Sequence, residues 1–457
     1  MKENGVIFFN DFKEINDRDK KYLFDIEQGK IIEVDKRTLL LSKNSGLNKN
    51  GLYRKVDKYF SNEEFEDVLK SMEEAKFLKH SNPDKEEEVK FKCDEDIVGI
   101  TLMLVQGCNL ACKYCFGDEG NYNDTGKMSK ETAFKAVDYL IKHTDEKKVL
   151  ITFFGGEPLL ALDLIKDIIE YTQDIDRDIQ FAMTTNGTLI NDEVIEMISK
   201  HKISTIISID GDEHSNNINR YYKDGRGSYN DTISKTDQLR AEGKVSARAT
   251  LSRDNLDIIN VFEHLNSLNF KNIPIAPANN MISNIEYLDF IKNNMDYVDY
   301  IEKLIHKKEY DKVKKSTFIY SMLIALHFGT NREYGCGAGI RDIAIDIHGD
   351  IYPCHRFVSH KETKIGNIFD DYEINQKERI KYLQKTHISN FKKLKRCESC
   401  WIKKFCVGGC VSENYESNGS FLEQSNRECY FKQCLYEKVI LLYTRLNDED
   451  KKGLFGE

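Results

Sequence analysis

Apolar positions along the chain recur with two different periods. Tyr22-Leu-Phe-Asp-Ile26, a turn at Gln28-Gly29 and Ile31-Ile-Glu-Val34 predict a β-hairpin. Ser61 with Glu64 three residues on is a capping-box start, and Phe65, Val68, Leu69, Met72 and Phe77 follow at helical spacing. Residues 20–80 therefore form a small unit of their own. Asn82-Pro83 and the acidic run Glu86-Glu-Glu88 mark a linker, with a boundary near residue 92. Beyond it the pattern alternates: apolar or β-branched runs at 98–105, 149–154, 179–184, 203–209, 245–250 and 271–276 predict strands, with amphipathic helices between them. Six β/α units fit an open six-unit barrel better than a closed eight-unit one, which takes about 250 residues. Residues 286–330 read as helical, with Leu288, Ile291, Met295, Val298, Ile301 and Ile305 as the apolar face, and a last apolar helix spans 435–446.

Charge narrows the function classes. The 457 residues carry Lys+Arg 67 against Asp+Glu 76, and the net charge of −9 repels phosphate backbones and argues against bulk nucleic-acid binding. Charges at Lys2, Glu3, Asp11, Lys13, Glu14, Asp17 and Arg18 leave no room for a signal sequence, and no uncharged apolar run approaches about twenty residues. The expectation is a soluble, cytoplasmic protein without a membrane partner. Such a protein keeps its thiols reduced, so tightly spaced cysteines point to metal ligands. Of the 12 cysteines, Cys108, Cys112 and Cys115 form one group, Cys336 and Cys354 a second, and Cys397, Cys400, Cys406, Cys410, Cys429 and Cys434 a third. Cys93 stands alone and reads as structural.

Cys108-Asn-Leu-Ala-Cys112-Lys-Tyr-Cys115 follows the first barrel strand, where a loop can bend three thiolates round one inorganic cluster. Three ligands suit a four-iron cluster only if something else holds the fourth iron, and a zinc site would want a fourth ligand closer than His143. The loop resembles that of the radical S-adenosylmethionine (SAM) superfamily, C-x3-C-x-aromatic-C, with Tyr114 as the aromatic. Gly155-Gly156-Glu157-Pro158 after the second strand resembles the superfamily's GGEP turn, which implies that Glu157 accepts from the ammonium group of SAM. Asn186-Gly187 after the third strand, and Ser208 and Asp210 after the fourth, resemble turns that border the SAM pocket; both are also ordinary turn dipeptides. Arg248 on the fifth strand matches the residue that pairs with the SAM carboxylate. The implied chemistry is reductive cleavage of SAM to a 5′-deoxyadenosyl radical that abstracts hydrogen from carbon.

The distal cysteines resemble the seven-cysteine SPASM domain, which holds two auxiliary four-iron clusters, so three [4Fe-4S] clusters are implied in all. Carried over residue by residue, Cys336, Cys354 and Cys410 belong to the first auxiliary cluster, and Cys397, Cys400, Cys406 and Cys429 to the second. The first is one ligand short. Either Cys434 folds back to complete it, or Cys434 is a small buried hydrophobe and a substrate thiolate takes the open iron. His355 stands where sulfatase-maturing enzymes carry an Asp, a departure that counts against sulfatase maturation. Cys336-Gly-Ala-Gly339, Gly349-Asp-Ile-Tyr-Pro-Cys-His-Arg-Phe357, Lys364-Ile-Gly-Asn367 and Asp224-x-Arg226-Gly-Ser-Tyr229 resemble the thioether-forming branch, the maturases of ranthipeptides, SCIFF peptides and sactipeptides.

That resemblance implies an α/β protein: a winged-helix-like leader-recognition domain at 1–92, a partial (β/α)6 barrel at 93–300, a helical bridge at 301–335, a SPASM domain at 336–434 and a terminal helix and tail at 435–457. The N-terminal unit reads alternatively as a mere cap on the barrel, while near-balanced charge in it disfavours a DNA-binding winged helix. The implied enzyme forms Cys-to-carbon thioethers in a cysteine-containing precursor peptide, with a flavodoxin or ferredoxin as reductant. The alternatives are another peptide modification, such as carbon–carbon crosslinking or subunit maturation, or a non-catalytic iron–sulfur protein that binds leaders or carries electrons.

Overall fold

A computed structural model describes residues 6–79, 96–330 and 332–456. The linker, the boundary near 92 and Cys93 lie outside the described residues. The N-terminal part builds two small sheets. Strands β2 (Phe12–Asp17), β3 (Lys20–Asp25) and β4 (Ile31–Val34) form an antiparallel meander, while β1 (Val6–Phe9) lies between the short β5 (Leu47–Asn48) and β6 (Leu78–Lys79). The expected hairpin is β3–β4, with Leu23 opposite Ile32; the charged β2 ahead of it carries too weak an apolar alternation to read. Helices α1 (Lys36–Ser42), α2 (Lys49–Val56) and α3 (Asn62–Glu74) are capped by Asp35, Asn48 and Ser61, and the Ser61–Glu64 capping box forms as expected. Alternation along β3 splits its side chains between two cores. Leu23 joins Ile7, Leu41, Leu52, Phe65 and Phe77 in a local cluster, whereas Tyr22 and Phe24, with Ile15 of β2, join the main core of the molecule.

The central sheet follows next in the chain. It contains β7 (Gly99–Gln106), a short β8 (Gly126–Lys127), β9 (Lys148–Gly155), β10 (Asp178–Thr185), β11 (Ser204–Ser208), β12 (Val245–Leu251) and β13 (Ile275–Pro277). Helices α4 (Lys130–Lys142), α5 (Leu162–Tyr171), α6 (Asp192–Lys200), α7 (Glu213–Asn219), α8 (Tyr229–Ala241) and α9 (Ile258–Ser267) connect them. The order β13-β12-β11-β10-β9-β7 is parallel throughout, as the alternating pattern predicts. The sixth strand is shorter than expected, only three residues, because Pro274 and Pro277 have no N–H to donate to a ladder.

Helices α10 (Glu286–His306), α11 (Tyr310–Lys315) and α12 (Thr317–Phe328) replace the single helical stretch expected at 286–330, with a left-handed Lys308 at the first break. The buried face of α10 holds Val298, Ile301 and Ile305 as expected, but Tyr287, Phe290 and Tyr297 take the place of Leu288, which is 65% exposed.

The cysteine-rich segment then returns to the sheet. β14 (Asp342–Ile345) pairs in parallel with β7, Ile343 beside Ile100, and β15 (Asp350–Tyr352) and β16 (Gly366–Asn367) continue antiparallel. This segment therefore extends the barrel sheet past its six strands. After α13 (Tyr372–Thr386), α14 (Lys395–Glu398), α15 (Lys403–Cys406) and α16 (Val411–Asn418) comes α17 (Asn426–Thr444), which starts nine residues before the predicted 435. Residues expected as a tail form α18 (Asp448–Phe455), with an Asn447–Asp450 capping box. Among the described residues no helix is long and apolar enough to cross a membrane.

Candidate functional site

The loop after β7 is held from two sides. Ala111 N donates to Tyr221 O (2.8 Å) and Lys113 N to Asn219 O (3.0 Å), which docks the Cys108–Cys115 segment onto residues 219–222. From the other side, Asn186 Nδ2 donates to Asn109 Oδ1 (2.8 Å) and reaches Cys108 Sγ at 3.8 Å, while Asn109 Nδ2 donates to Thr188 Oγ1 (2.8 Å). Leu110 N lies 3.4 Å from Cys108 Sγ. In the metal-free chain burial pushes the Cys108 thiol up to about 12, so these donors stabilise a thiolate the site otherwise disfavours.

The GGEP turn is welded to that loop by glycine. A Cβ on Gly155, whose φ is +136°, would lie 2.4 Å from Val105 O, and one on Gly156 would lie 2.1 Å from Gly107 O. Glu157 is buried, with Oε1 accepting from Leu159 N (3.1 Å) and Thr185 Oγ1 (2.7 Å) and Oε2 from Asn186 N (2.8 Å). Burial raises its pKa against those bonds. Its carboxylate thus ties the turn to the end of β10. Asp210, also buried, accepts from Thr250 N (2.9 Å) and from Tyr114 OH (2.5 Å), and burial raises its pKa as well.

Arg220, which no motif singles out, completes this group. Its Nη1 donates to Tyr114 OH at 2.7 Å. Burial opposes its charge, but Cys112, Tyr114 and Asp210 more than offset that and hold the guanidinium protonated. Ser208 stands beside Arg248 in the β11–β12 register. The Arg248 carbonyl accepts from Ile209 N (3.0 Å), while its guanidinium has no hydrogen-bond partner among the described residues. Arg248 lines a half-open cavity of about 370 Å³, and desolvation by the surrounding protein, followed by the charge of Arg356, lowers its pKa. Ile275, Tyr287, Phe290 and Phe431 give this cavity an apolar wall, and Glu413, Glu428 and Lys432 a polar rim.

The auxiliary cysteines separate into two groups. Gly335 lets the chain pass tightly, since a Cβ there would lie 2.3 Å from Gly409 O, and this brings Cys336 alongside Cys410. After burial, Cys410 raises the pKa of Cys336 and Cys354, Cys336 raises that of Cys354, and all three act on the buried Tyr382 hydroxyl, which has no hydrogen-bond partner among the described residues. Arg356 Nη1 sits 4.0 Å from Cys410 Sγ and 2.8 Å from Glu413. Cys397, Cys400, Cys406 and Cys429 line one small cavity, with Gln424 Nε2 3.5 Å from Cys406 Sγ and Gln433 Nε2 3.8 Å from Cys400 Sγ.

Cys434 joins neither group. On α17 it lies five residues past Cys429, about 140° round the helix, and pairs with Tyr430, which is 59% exposed. Among the described residues no pairing of Cys434 with a thiol of either group is seen, and it is half-buried, short of the buried core position also weighed for it. His355 packs between Phe154 (4.5 Å between ring centres) and Phe116 (5.9 Å), and burial with the charges of Arg356 and Arg248 lowers its pKa to about 4.

The donor set fits iron–sulfur clusters. Soft thiols neighbour one another around Cys108, Cys112 and Cys115, around Cys336, Cys354 and Cys410 and around Cys397, Cys400, Cys406 and Cys429, with N–H groups close to them, although among the described residues no three stand close enough to hold a single metal ion. Comparison with known proteins agrees. Residues 102–265 match the Radical SAM superfamily and residues 336–401 the SPASM iron–sulfur cluster-binding domain. The chain is 25% identical over 415 residues to the radical SAM cyclopropyl synthase TigE of Paramaledivibacter caminithermalis, covering 84% of each. It is 25% identical over 326 residues to the antilisterial bacteriocin subtilosin biosynthesis protein AlbA of Bacillus subtilis, covering 70% of this chain and 68% of AlbA. The solved structure of native anSMEcpe with bound AdoMet and Cp18Cys peptide has the same fold, with TM-score 0.62 and 20% identity over 76% of this chain and 99% of that one.

Proposed function

We propose that this chain, a radical SAM enzyme with a SPASM iron–sulfur domain, joins a cysteine sulfur to a carbon within a ribosomally made precursor peptide. The observation that carries this reading is the three-thiol set of Cys336, Cys354 and Cys410, which Cys434 on α17 does not join, and which Arg356 links to Glu413 of the cavity lining. When bound, the groups these sites hold supply a 5′-deoxyadenosyl radical at Cys108, Cys112 and Cys115 and, at the three-thiol site, an iron able to take a thiolate.

The chain's own residues do the rest. Asn186 and Asn109 fix the loop, and the buried Tyr114–Asp210–Arg220 group fixes its far end. Arg248 would hold the SAM carboxylate, a reading supported by its position beside Ser208 and at the cavity. The apolar wall of the cavity excludes water from a peptide side chain, and His355, held neutral between two rings, adds no charge there. The N-terminal unit offers the free edge of β4 to a leader segment as an added strand. A flavodoxin or ferredoxin supplies the electron, in the cytoplasm.

Likeness to TigE favours a second reading, carbon–carbon ring formation in the same kind of peptide. Incubating the reconstituted enzyme with SAM, a strong reductant and a cysteine-containing precursor tests both. 5′-Deoxyadenosine release with loss of one alkylatable thiol per bridge supports the thioether; release with all thiols retained supports the ring; no release removes both.

A further inference from the structure

Residues 392–404 hold Lys392, Lys393, Lys395, Arg396, Lys403 and Lys404 against the single acid Glu398, in a chain whose net charge is −9. This run surrounds Cys397 and Cys400, two of the four thiols lining the second auxiliary cavity, and Arg396, Lys403 and Lys432 line that cavity with them. The cations divide by partner. Arg396, held by Asn426 Oδ1 and Gln424 O, and Lys403 and Lys432 line the cavity beside the four thiols, so these three sit on the cysteine side. Lys393 and Lys395 are exposed, and neither pairs with a carboxylate among the described residues; the Lys393 ammonium donates to Asn390 Oδ1 (3.1 Å). Inward-facing cations offset the charge of the thiolates, which leaves the outward pair unexplained by the site itself.

We propose that the outward face of this basic run is the docking surface for an acidic one-electron carrier protein of the flavodoxin or ferredoxin kind. The inference rests on the reading above, in which the second auxiliary group holds a redox cluster. Thioether closure breaks one C–H and one S–H bond and forms one C–S bond. The hydrogen atom leaves with the adenosyl group, the thiol proton goes to solvent, and one electron remains. An oxidised one-electron carrier gains that electron and no atom moves with it. Such a carrier must approach near the half-buried cysteines at 397–429. The acidic remainder of the surface repels an acidic partner while the basic run attracts it, so charge steers the encounter to this face.

Anaerobically reconstituted full-length enzyme and an oxidised acidic flavodoxin test the proposal by direct binding measurement at several ionic strengths. The wild type is expected to bind, and binding is expected to weaken as salt shortens the screening length below about 10 Å. Lys393→Glu with Lys395→Glu is expected to lose at least about tenfold in affinity. Lys142→Glu with Lys200→Glu, the same charge change on exposed barrel helices, is expected to lose less than about threefold. Both double variants are expected to keep their iron and their dithionite-driven SAM cleavage. Unchanged flavodoxin affinity in the first variant overturns the proposal, as does equal loss in both, which reduces the effect to net charge. Loss of iron from the first variant makes the two lysines counterions of the cysteine site. Loss of precursor binding with flavodoxin binding intact makes the face a peptide surface. Failure of the wild type to cleave SAM under dithionite defeats the functional reading, and the binding comparison still decides the docking surface.

Discussion

At Asn186 a single side chain spends every polar atom on the first cysteine loop and its own turn: Nδ2 on Asn109 and Cys108, Oδ1 on Thr188 N (2.9 Å) and Thr188 Oγ1 (2.7 Å). Asn186→Ala leaves Asn109 Oδ1 only the weak Cys108 thiol donor at 3.8 Å, a cost of about 1–3 kcal/mol. Iron after reconstitution is then expected to fall from about 12 toward about 8 per chain, since the auxiliary sites are untouched; unchanged iron and SAM affinity would show the clamp to be idle. Arg220 is a second case. Arg220→Met takes the Tyr114-linked cation away from the buried Asp210 carboxyl and is expected to cost roughly 1–3 kcal/mol in denaturant unfolding. Adding Asp210→Asn should recover part of that loss, so simple additivity of the two would contradict the pairing. The cysteine groups stood out in the sequence because tight spacing is a sequence property. Arg220 did not, because Tyr114, whose hydroxyl links it to Asp210, lies 106 residues away in the chain and meets it only through the fold. The resemblance named Glu157 and Asp210 as ligand contacts, but spacing could not tell that their oxygens are also engaged by neighbouring donors.

Helix α17 shows what an element adds to its residues. Read as a loop carrying Cys429 and Cys434 before a helix at 435, the segment left both thiols free to turn inward; as one helix from Asn426 it separates them by about 140°. Cys434→Ala is therefore expected to keep about 12 irons and full SAM cleavage, whereas Cys429→Ala should hold about 8; the reverse pattern would return Cys434 to the ligand set. The helix start was hidden because the first turn, Asn426-Arg-Glu-Cys-Tyr430, lacks an apolar stripe, although Ser425 caps it through Glu428 N. In α10 the periodic reading found the correct stripe from Val298 onward and missed its beginning, where aromatic Tyr287 and Phe290 face the cavity and Leu288 faces out. Strands were the most legible elements, since parallel strands buried on both faces read as continuous apolar runs. The shortened β13 shows the one place where proline overrode that signal.

The whole molecule is more continuous than its sequence pattern suggests. Phe24 of the N-terminal meander sits between Trp401 and Phe405, each 5.7 Å away, and these rings lie between Cys400 and Cys406. Arg445 closes the same seam by pairing with Asp17 (2.7 Å) and Glu302 (3.1 Å). A unit legible as separate by its own hydrophobic cluster thus shares its other face with the second auxiliary group. Such long-range sharing leaves no local periodicity to detect. The central claim remains chemical, and tandem mass spectrometry of a cysteine-containing precursor co-expressed with this enzyme tests it most directly. The account predicts a mass lower by two hydrogens for each bridge, one cysteine per bridge closed to alkylation, and fragments that map the bond from that sulfur to a carbon of another residue. A modified peptide that has lost the same hydrogens while every cysteine still alkylates would contradict it.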